Sequence, residues 1–286
     1  MDTVSLAGPL EAQLAAIRDA GFAQVTLHAG DLVDHPGGLQ AAVAAVRASG
    51  LRVDGFRVLR DYEGLTGHLH AYKVDIAKSM LEMCAELGCK RLLVSSSTSA
   101  QASADDRVLA RDLAKLAMLA LPLGIQVAYK ALAWGHAVKD YVRAWEVVTL
   151  ADVPNLGLGI DSFQLYASQA SIEDLDLVDP WKLFIVQLSD FMWHGGSGAV
   201  TAAARGEAFH VFPGEGVQAE ALAALVRRLD ELGYRGDYSF NVDNDDYRQL
   251  PLPTVAERAR RSASWLAEDV LRRSTPLPNR VGLRKR

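Results

Sequence analysis

Residues 106–130 read Asp-Arg-Val-Leu-Ala-Arg-Asp-Leu-Ala-Lys-Leu-Ala-Met-Leu-Ala-Leu-Pro-Leu-Gly-Ile-Gln-Val-Ala-Tyr-Lys. Apolar residues recur every three or four positions as far as Leu121, the spacing of one helix face. Gly124 then stops the pattern, because glycine takes the left-handed conformation without a Cβ clash. A short apolar run, Gln126–Lys130, follows at once and ends on a charge. Helix, glycine, one or two residues, strand is the αβ connection of a repeating βα unit. The same phrase recurs at Gly21-Phe-Ala-Gln, Gly50-Leu-Arg-Val, Gly88-Cys-Lys-Arg and Gly233-Tyr-Arg-Gly.

Working outward, the pattern predicts eight strands: Thr3–Leu6, Gln24–His28, Val53–Val58, Arg91–Ser96, Gln126–Lys130, Gly157–Asp161, Phe184–Leu188 and Tyr238–Val242. Several are nearly continuous apolar runs, as suits parallel strands buried on both faces. Helical patterns fall at Leu10–Ala20, Leu39–Ser49, His70–Leu87, Asp106–Leu121, Val138–Ala151, Ala219–Leu232 and Thr254–Leu271. Eight strands alternating with helices, without a linker, predict an α/β chain forming a single (β/α)8 TIM barrel over residues 1–274. The basic segment 275–286 reads as a flexible tail. A doubly wound nucleotide-binding sheet is disfavoured, since no Gly-x-Gly-x-x-Gly or Walker-type loop follows a strand. Phe191 to Gly216 is too long for an ordinary connection and reads as an active-site loop, with Trp193 and His194 as lid residues.

The chain has 286 residues, 50% of them hydrophobic and 23% charged, which excludes a disordered chain. A formal charge of −5 gives no electrostatic footprint for nucleic acid. No apolar run is long enough to span a membrane. No basic and apolar leader precedes Thr3, so a signal peptide is not expected. Cys84 and Cys89 are too few for a disulfide framework or a zinc site; both read as packing residues, with the cytoplasm as default compartment. Trp134, Trp145, Trp181 and Trp265 also read as packing. The partner expected is a small molecule; a homo-oligomer remains open.

Functional residues of such barrels sit at the carboxyl ends of the strands. Those ends carry His28, Arg57 with Arg60 and Asp61, Ser95–Ser97, Lys130, Asp161, Gln187 with Asp190, and Asn241 with Asp243. Ser95–Ser97, Asp190 and Asp243 read as caps or solvated groups. Lys130, Asp161 and Gln187, each ending an apolar run, read as functional. A mouth lined this way suits a substrate with several oxygens.

The segment Val127-Ala-Tyr-Lys-Ala-Leu-Ala-Trp-Gly-His136 resembles a signature of bacterial 3-dehydroshikimate dehydratases, members of the xylose-isomerase-like, sugar-phosphate isomerase/epimerase barrel superfamily. Asn155-Leu-Gly-Leu-Gly-Ile-Asp-Ser-Phe163, Gln187-Leu-Ser-Asp190, Phe212-Pro-Gly-Glu-Gly216 and Asn244-Asp-Asp-Tyr-Arg-Gln249 continue the likeness in the right order. Thr3-Val-Ser-Leu-Ala-Gly8 and Arg60-Asp-Tyr-Glu-Gly64 fit it as well. The resemblance implies a barrel holding a divalent metal (Mg²⁺, Mn²⁺ or Co²⁺) on a Glu, an Asp, a Gln or His, and a second Glu, on the fifth to eighth strands. Lys130, Asp161, Gln187 and Asn241 stand at those positions here. Two carboxylates are replaced, one of them by an ammonium. Like charges a few ångströms apart repel by about 4 kcal/mol at an effective dielectric of 20, and hard cations want anionic oxygen ligands. Loss of the family metal is therefore expected, with no cofactor. The family's usual His after Asp-Ser-Phe is Gln164, and the Arg before its Cys-Phe-Pro-Gly stretch is His210.

Three functions follow. The first is a metal-independent lyase or isomerase performing dehydration or enolisation of a cyclic keto acid or keto-sugar. Lys130 would act as a fixed cation or through a Schiff base, Asp161 as its partner, and His210, or else Asp190 or Glu215, as acid/base. Arg60 would clamp a carboxylate; Gln164, Gln187, Asn241 and His28 would contact substrate. Glu63 would pair with Arg60. The second is a non-catalytic descendant that binds a small polyol acid or a protein partner, the Lys130–Asp161 pair plugging the site. The third is a rearranged metal site using Asp161 with Asp190 or Asp243.

Overall fold

The computed structural model describes residues 1–192 and 209–273. Trp193, His194 and the 274/275 boundary with its basic tail lie outside them. Seven parallel strands run in sequence order: β1 (Gln24–His28), β2 (Arg52–Arg60), β3 (Arg91–Ser95), β4 (Gln126–Lys130), β5 (Leu156–Asp161), β6 (Leu183–Leu188) and β7 (Asp237–Phe240). The helices α1 (Leu10–Asp19), α2 (Ala29–Val33), α3 (Gly38–Ser49), α4 (Gly67–Leu87), α5 (Asp106–Ala120), α6 (Tyr141–Ala151), α7 (Ser162–Ser168), α8 (Ala219–Glu231) and α9 (Leu252–Trp265) alternate with them. The expected TIM barrel is present, nearly closed by these strands.

The expected first strand, Thr3–Leu6, is not a strand. Thr3–Ser5 is a 3₁₀ turn, because the Asp2 carboxylate caps the Val4 N–H at 3.1 Å and Leu6 N–H bonds Thr3 carbonyl at 2.9 Å. Four apolar-alternating residues cannot by themselves distinguish the two forms. The wall still closes there. Asp2 N–H donates to Phe240 carbonyl at 3.2 Å, and Thr26 N–H donates to Met1 carbonyl at 3.0 Å, so the first two residues bridge β7 and β1. Lys130 accordingly lies on the fourth regular strand.

Period-two alternation positions the site. On β4, Val127 and Tyr129 join the large core between sheet and helices, leaving Ala128 and Lys130 on the barrel interior. On β5, Leu156, Leu158 and Ile160 face the helices. A Cβ on Gly159 would stand 3.8 Å from that of Lys130, so glycine leaves room beside the lysine. Parallel register sets Ser95 beside Lys130 and Asp161 beside Gln187.

Helix starts follow their caps: Asp105 accepts from Arg107 N–H and Asp140 from Arg143 N–H, which moves the start of α6 from the expected Val138 to Tyr141. The last expected helix divides into α9 and a π turn, Leu266–Val270. Cys84 and Cys89 are buried free thiols. Trp134, Trp145 and Trp265 pack against apolar clusters, whereas Trp181, expected to pack, is 90% exposed. No helix among the described residues is long and apolar enough to cross a membrane.

Candidate active site at the barrel mouth

Lys130 Nζ donates to Asp161 Oδ2 and to Gln187 Oε1, each at 2.8 Å. Asn241 Nδ2 donates to the same Asp161 oxygen at 3.0 Å. Arg57 Nη1 donates to Asn241 Oδ1, and to Asp2 Oδ2 at 2.7 Å. Gln187 Nε2 reaches that Asp2 oxygen at 3.5 Å. The bonds close into a ring running Lys130, Asp161, Asn241, Arg57, Asp2, Gln187 and back. Every member is at most 9% exposed. Two cations face two carboxylates, so the ring is neutral, as burial of charge demands.

All four positions singled out in the sequence are thus brought together. The other oxygen of Asp161 accepts the Phe163 and Gln164 N–H groups at 3.0 and 3.3 Å and caps α7. Burial pushes this carboxyl up, but the Lys130 ammonium and its hydrogen bond, with help from Asn241, outweigh it and hold it below the usual carboxylate range.

His210 is 5% exposed, and neither ring nitrogen has a hydrogen-bond partner among the described residues. Its ring lies 4.5 Å from that of Phe163 and 4.8 Å from that of Phe209. Burial pushes its pKa down to about 4, assisted by Lys130 and Arg57 and opposed by Asp161. The imidazole is neutral near pH 7, a proton acceptor without an assigned proton. His210 is held through its backbone: its N–H bonds Asp243 carbonyl at 3.0 Å, and Asn244 Nδ2 donates to its carbonyl at 2.7 Å.

Lys130, Asp161, His210, Asn241, Gln164, Arg57 and Arg60 line one recess, with Asp243 and Ser95 beside them. Its free volume is about 20 Å³. Gln164 Oε1 accepts from Ala133 N–H at 2.8 Å. Arg60 is exposed at the rim.

Other expected members go elsewhere. His28 is not in this recess. Its Nδ1 accepts from Gly30 N–H at 3.1 Å, and Asp31 accepts from His28 N–H at 2.8 Å, a capping box at the start of α2. It lines a separate groove of about 680 Å³ with Glu11, Asp31, Asp34 and His35. Glu63 is 1% exposed and accepts Ser97 N–H at 2.6 Å and Tyr129 O–H at 2.9 Å; burial raises its pKa to about 7. That makes it an anchor beneath the rim. Asp190, an alternative acid/base, binds the backbone N–H groups of Phe191, Gly214, Gly216 and Gln218 at 2.7 to 3.3 Å. Glu215 is tied to Arg258 and Tyr247. Both hold loops.

Sequence reasoning gave no role to Arg57 and missed Asp2. The signal for Arg57 was its place among the polar groups at the end of an apolar strand, which named no partner. Asp2 carried none, because its partners are 55 and 185 residues away.

A family model described as a xylose isomerase-like TIM barrel matches residues 14–269. A 3-dehydroshikimate dehydratase of Pseudomonas aeruginosa is 33% identical over 277 residues, 96% of this chain and 43% of its own length. One of Pseudomonas putida is 31% identical over 266 residues, 93% of this chain and 41% of its own. An inosose isomerase of Bacillus subtilis is 28% identical over 200 residues, 68% of this chain and 67% of its own. A solved xylose isomerase-like TIM barrel/4-hydroxyphenylpyruvate dioxygenase fusion protein superposes with a TM-score of 0.86 at 31% identity, over 95% of this chain and 43% of that one. The IOLI protein, solved with a binding zinc atom, superposes at 0.82 with 21% identity, over 94% of this chain and 98% of its own. The chain spans under half the length of the two dehydratases.

Proposed function

The chain belongs to the xylose isomerase-like TIM-barrel family, and from that premise we propose that it dehydrates or isomerises a small cyclic keto acid or keto-sugar without a metal ion. The observation that carries this is the position of Lys130 Nζ, 2.8 Å from both Asp161 and Gln187.

The donor set does not fit a divalent cation. Of the four family positions one is a carboxylate, and both its oxygens already accept hydrogen bonds. The amide oxygens of Gln187 and Asn241 are taken by Lys130 and Arg57. A divalent ion here would meet an ammonium and a guanidinium rather than anionic oxygens. Asp190 is committed to four backbone amides, which removes it from a rearranged site.

The chemistry follows from what the recess offers. Two of the three Lys130 N–H groups serve the ring, and the third is available to a substrate carbonyl oxygen. A nucleophilic amine would require the ion pair with Asp161 to break, so the fixed-cation role is the one supported. Neutral His210 takes the proton α to that carbonyl. The C–H electrons form the C=C bond, and the carbonyl π electrons move to oxygen, where the ammonium stabilises the enolate. In a dehydration, the enolate re-forms the carbonyl and expels a β-hydroxyl, which leaves as water with the proton held on His210. In an isomerisation, the proton of the neighbouring hydroxyl passes to the enolate oxygen, the proton held on His210 goes to the former carbonyl carbon, and the carbonyl re-forms on the carbon that lost it. Arg60 and Gln164 supply N–H donors for carboxylate and hydroxyl oxygens.

The narrow recess favours a second role. With about 20 Å³ free, the ring is also a compact plug, as in a binding protein that has lost catalysis. Turnover separates the two. The protein, dialysed against EDTA and assayed with 3-dehydroshikimate and inososes, is expected to form product, and Lys130→Met and His210→Gln each to lose it. Ligand-induced melting shifts without product would establish the plug. A stoichiometric divalent ion in the purified protein, essential for turnover, would overturn the metal-free proposal.

A further inference from the structure

Main-chain pairing holds the segment around His210 on two edges. The His210 N–H donates to the Asp243 carbonyl at 3.0 Å, and Phe209 pairs with Asn244. On the other edge Val211 and Asp190 exchange both backbone hydrogen bonds, at 2.8 and 2.9 Å. Neither ring nitrogen of His210 has a partner among the described residues. The ring is therefore aimed by its backbone and by packing on Phe163 and Phe209, not by a hydrogen bond of its own.

The remaining backbone group of His210, its carbonyl, is taken by a side chain: Asn244 Nδ2 donates to it at 2.7 Å. Oδ1 of the same amide accepts the N–H groups of Asp246 and Tyr247 at 2.9 and 3.1 Å, a local turn that Asn and Asp form equally well. Because the oxygen faces those two donors, the nitrogen faces the carbonyl. Tyr247 then stacks on Phe212, two residues beyond His210, with ring centres 5.5 Å apart. Residues 243–246 read Asp-Asn-Asp-Asp. An ionised aspartate at 244 would keep the turn, but it has no hydrogen to give and would set a carboxylate against a carbonyl oxygen. The one amide in this acidic run stands where a donor is needed, and it is buried.

We propose that Asn244 is a positioning residue for His210: its amide ties the His210 carbonyl to the turn after β7 and so holds the imidazole at the recess. This rests on the proton-transfer role proposed for His210 above. Asn244 itself does not line the recess. A base works only within hydrogen-bond reach of the proton it takes, and a misplacement of about 1 Å caused from outside the chemistry can lower a rate about a hundredfold.

Two readouts test this, one of them independent of turnover. In NMR spectra of the full chain with isotope-labelled histidine, the His210 ring signals, assigned by their loss in His210→Gln, carry the ring-current shift of Phe163 and Phe209. Asn244→Asp keeps the turn and removes the donor; Asn244→Ser is the milder second variant. Both are expected to move the His210 signals toward those of free histidine. Both should also lower kcat with 3-dehydroshikimate or inososes by about tenfold or more, with KM little changed. Asn155→Ser is the control for lost stability, because that amide bonds the Ala117 and Ile125 carbonyls just before β5. It should move neither readout. Far-UV circular dichroism confirms that each variant is folded. Unmoved His210 signals in the Asn244 variants overturn the proposal, as do signals that move with kcat unchanged, or an equal effect in Asn155→Ser. If wild type shows no turnover, or His210→Gln retains it, the acid/base reading fails separately, and the ring signals still decide whether Asn244 holds the ring.

Discussion

The ammonium of Lys130 and the carboxylate of Asp161 meet at 2.8 Å, both side chains less than a tenth exposed. Removing one partner of such a pair leaves an uncompensated buried charge, at a cost of about 3–5 kcal/mol. Lys130→Met is expected to lose that much, read from the urea midpoint at unchanged slope. Adding Asp161→Asn should recover part of it, because the amide oxygen still caps α7 and no charge is stranded. Additive costs in this double-mutant cycle would show that the pair is not coupled.

His210 gives the stability a pH signature. Burial lowers its pKa to about 4, against an ordinary value near 6.5. The unfolded chain therefore binds more protons between those values, and stability falls as pH drops through that window. The loss attributable to this group is on the order of 3 kcal/mol. His210→Gln should flatten this part of the profile. An NMR titration placing His210 near 6.5 would remove the effect.

Asp190 and Gly216 form one device. The carboxylate gathers four backbone N–H groups from 191–218. A Cβ on Gly216 would lie 2.3 Å from both Asp190 Oδ1 and Phe191 carbonyl oxygen. Asp190→Ala should cost on the order of 3 kcal/mol, since one buried and three part-buried backbone donors lose their acceptor. Gly216→Ala should displace the same loop. Hydrogen exchange at residues 211–218 is expected to quicken in both and stay unchanged in the α5 amides.

On the proposed metal-free reading, placing carboxylates at positions 130 and 241 does not by itself make a metal site. Lys130→Glu with Asn241→Glu leaves Arg57 to engage the new side chains, so Mn²⁺ should not raise the melting temperature of that variant. Adding Arg57→Gln should make the melting temperature rise with Mn²⁺, by the linkage expected of a ligand bound only to the folded state. A Mn²⁺ response in the double variant would show that Arg57 does not guard the position.

The barrel was legible because each βα unit carries its own punctuation. Gly50, Gly88 and Gly124 stop helices at the expected places with positive φ, and strand ends fall within two residues of expectation. Lys130, Asp161 and Gln187 were legible as polar ends of apolar runs. The failures were of two physical kinds. Thr3–Ser5 and His28 were decided by side-chain caps, which local alternation does not encode. Arg57 and Asp2 were decided by pairing between elements far apart in sequence, so nothing in either neighbourhood announced it.

The closed ring acts as a ratchet. Because its charges cancel only as a set, replacing a single charged member strands a counter-ion in a dry interior. Stepwise replacement of its charged members must cross intermediates less stable than either end, and a library of single substitutions would score these positions as intolerant while missing the combinations that work.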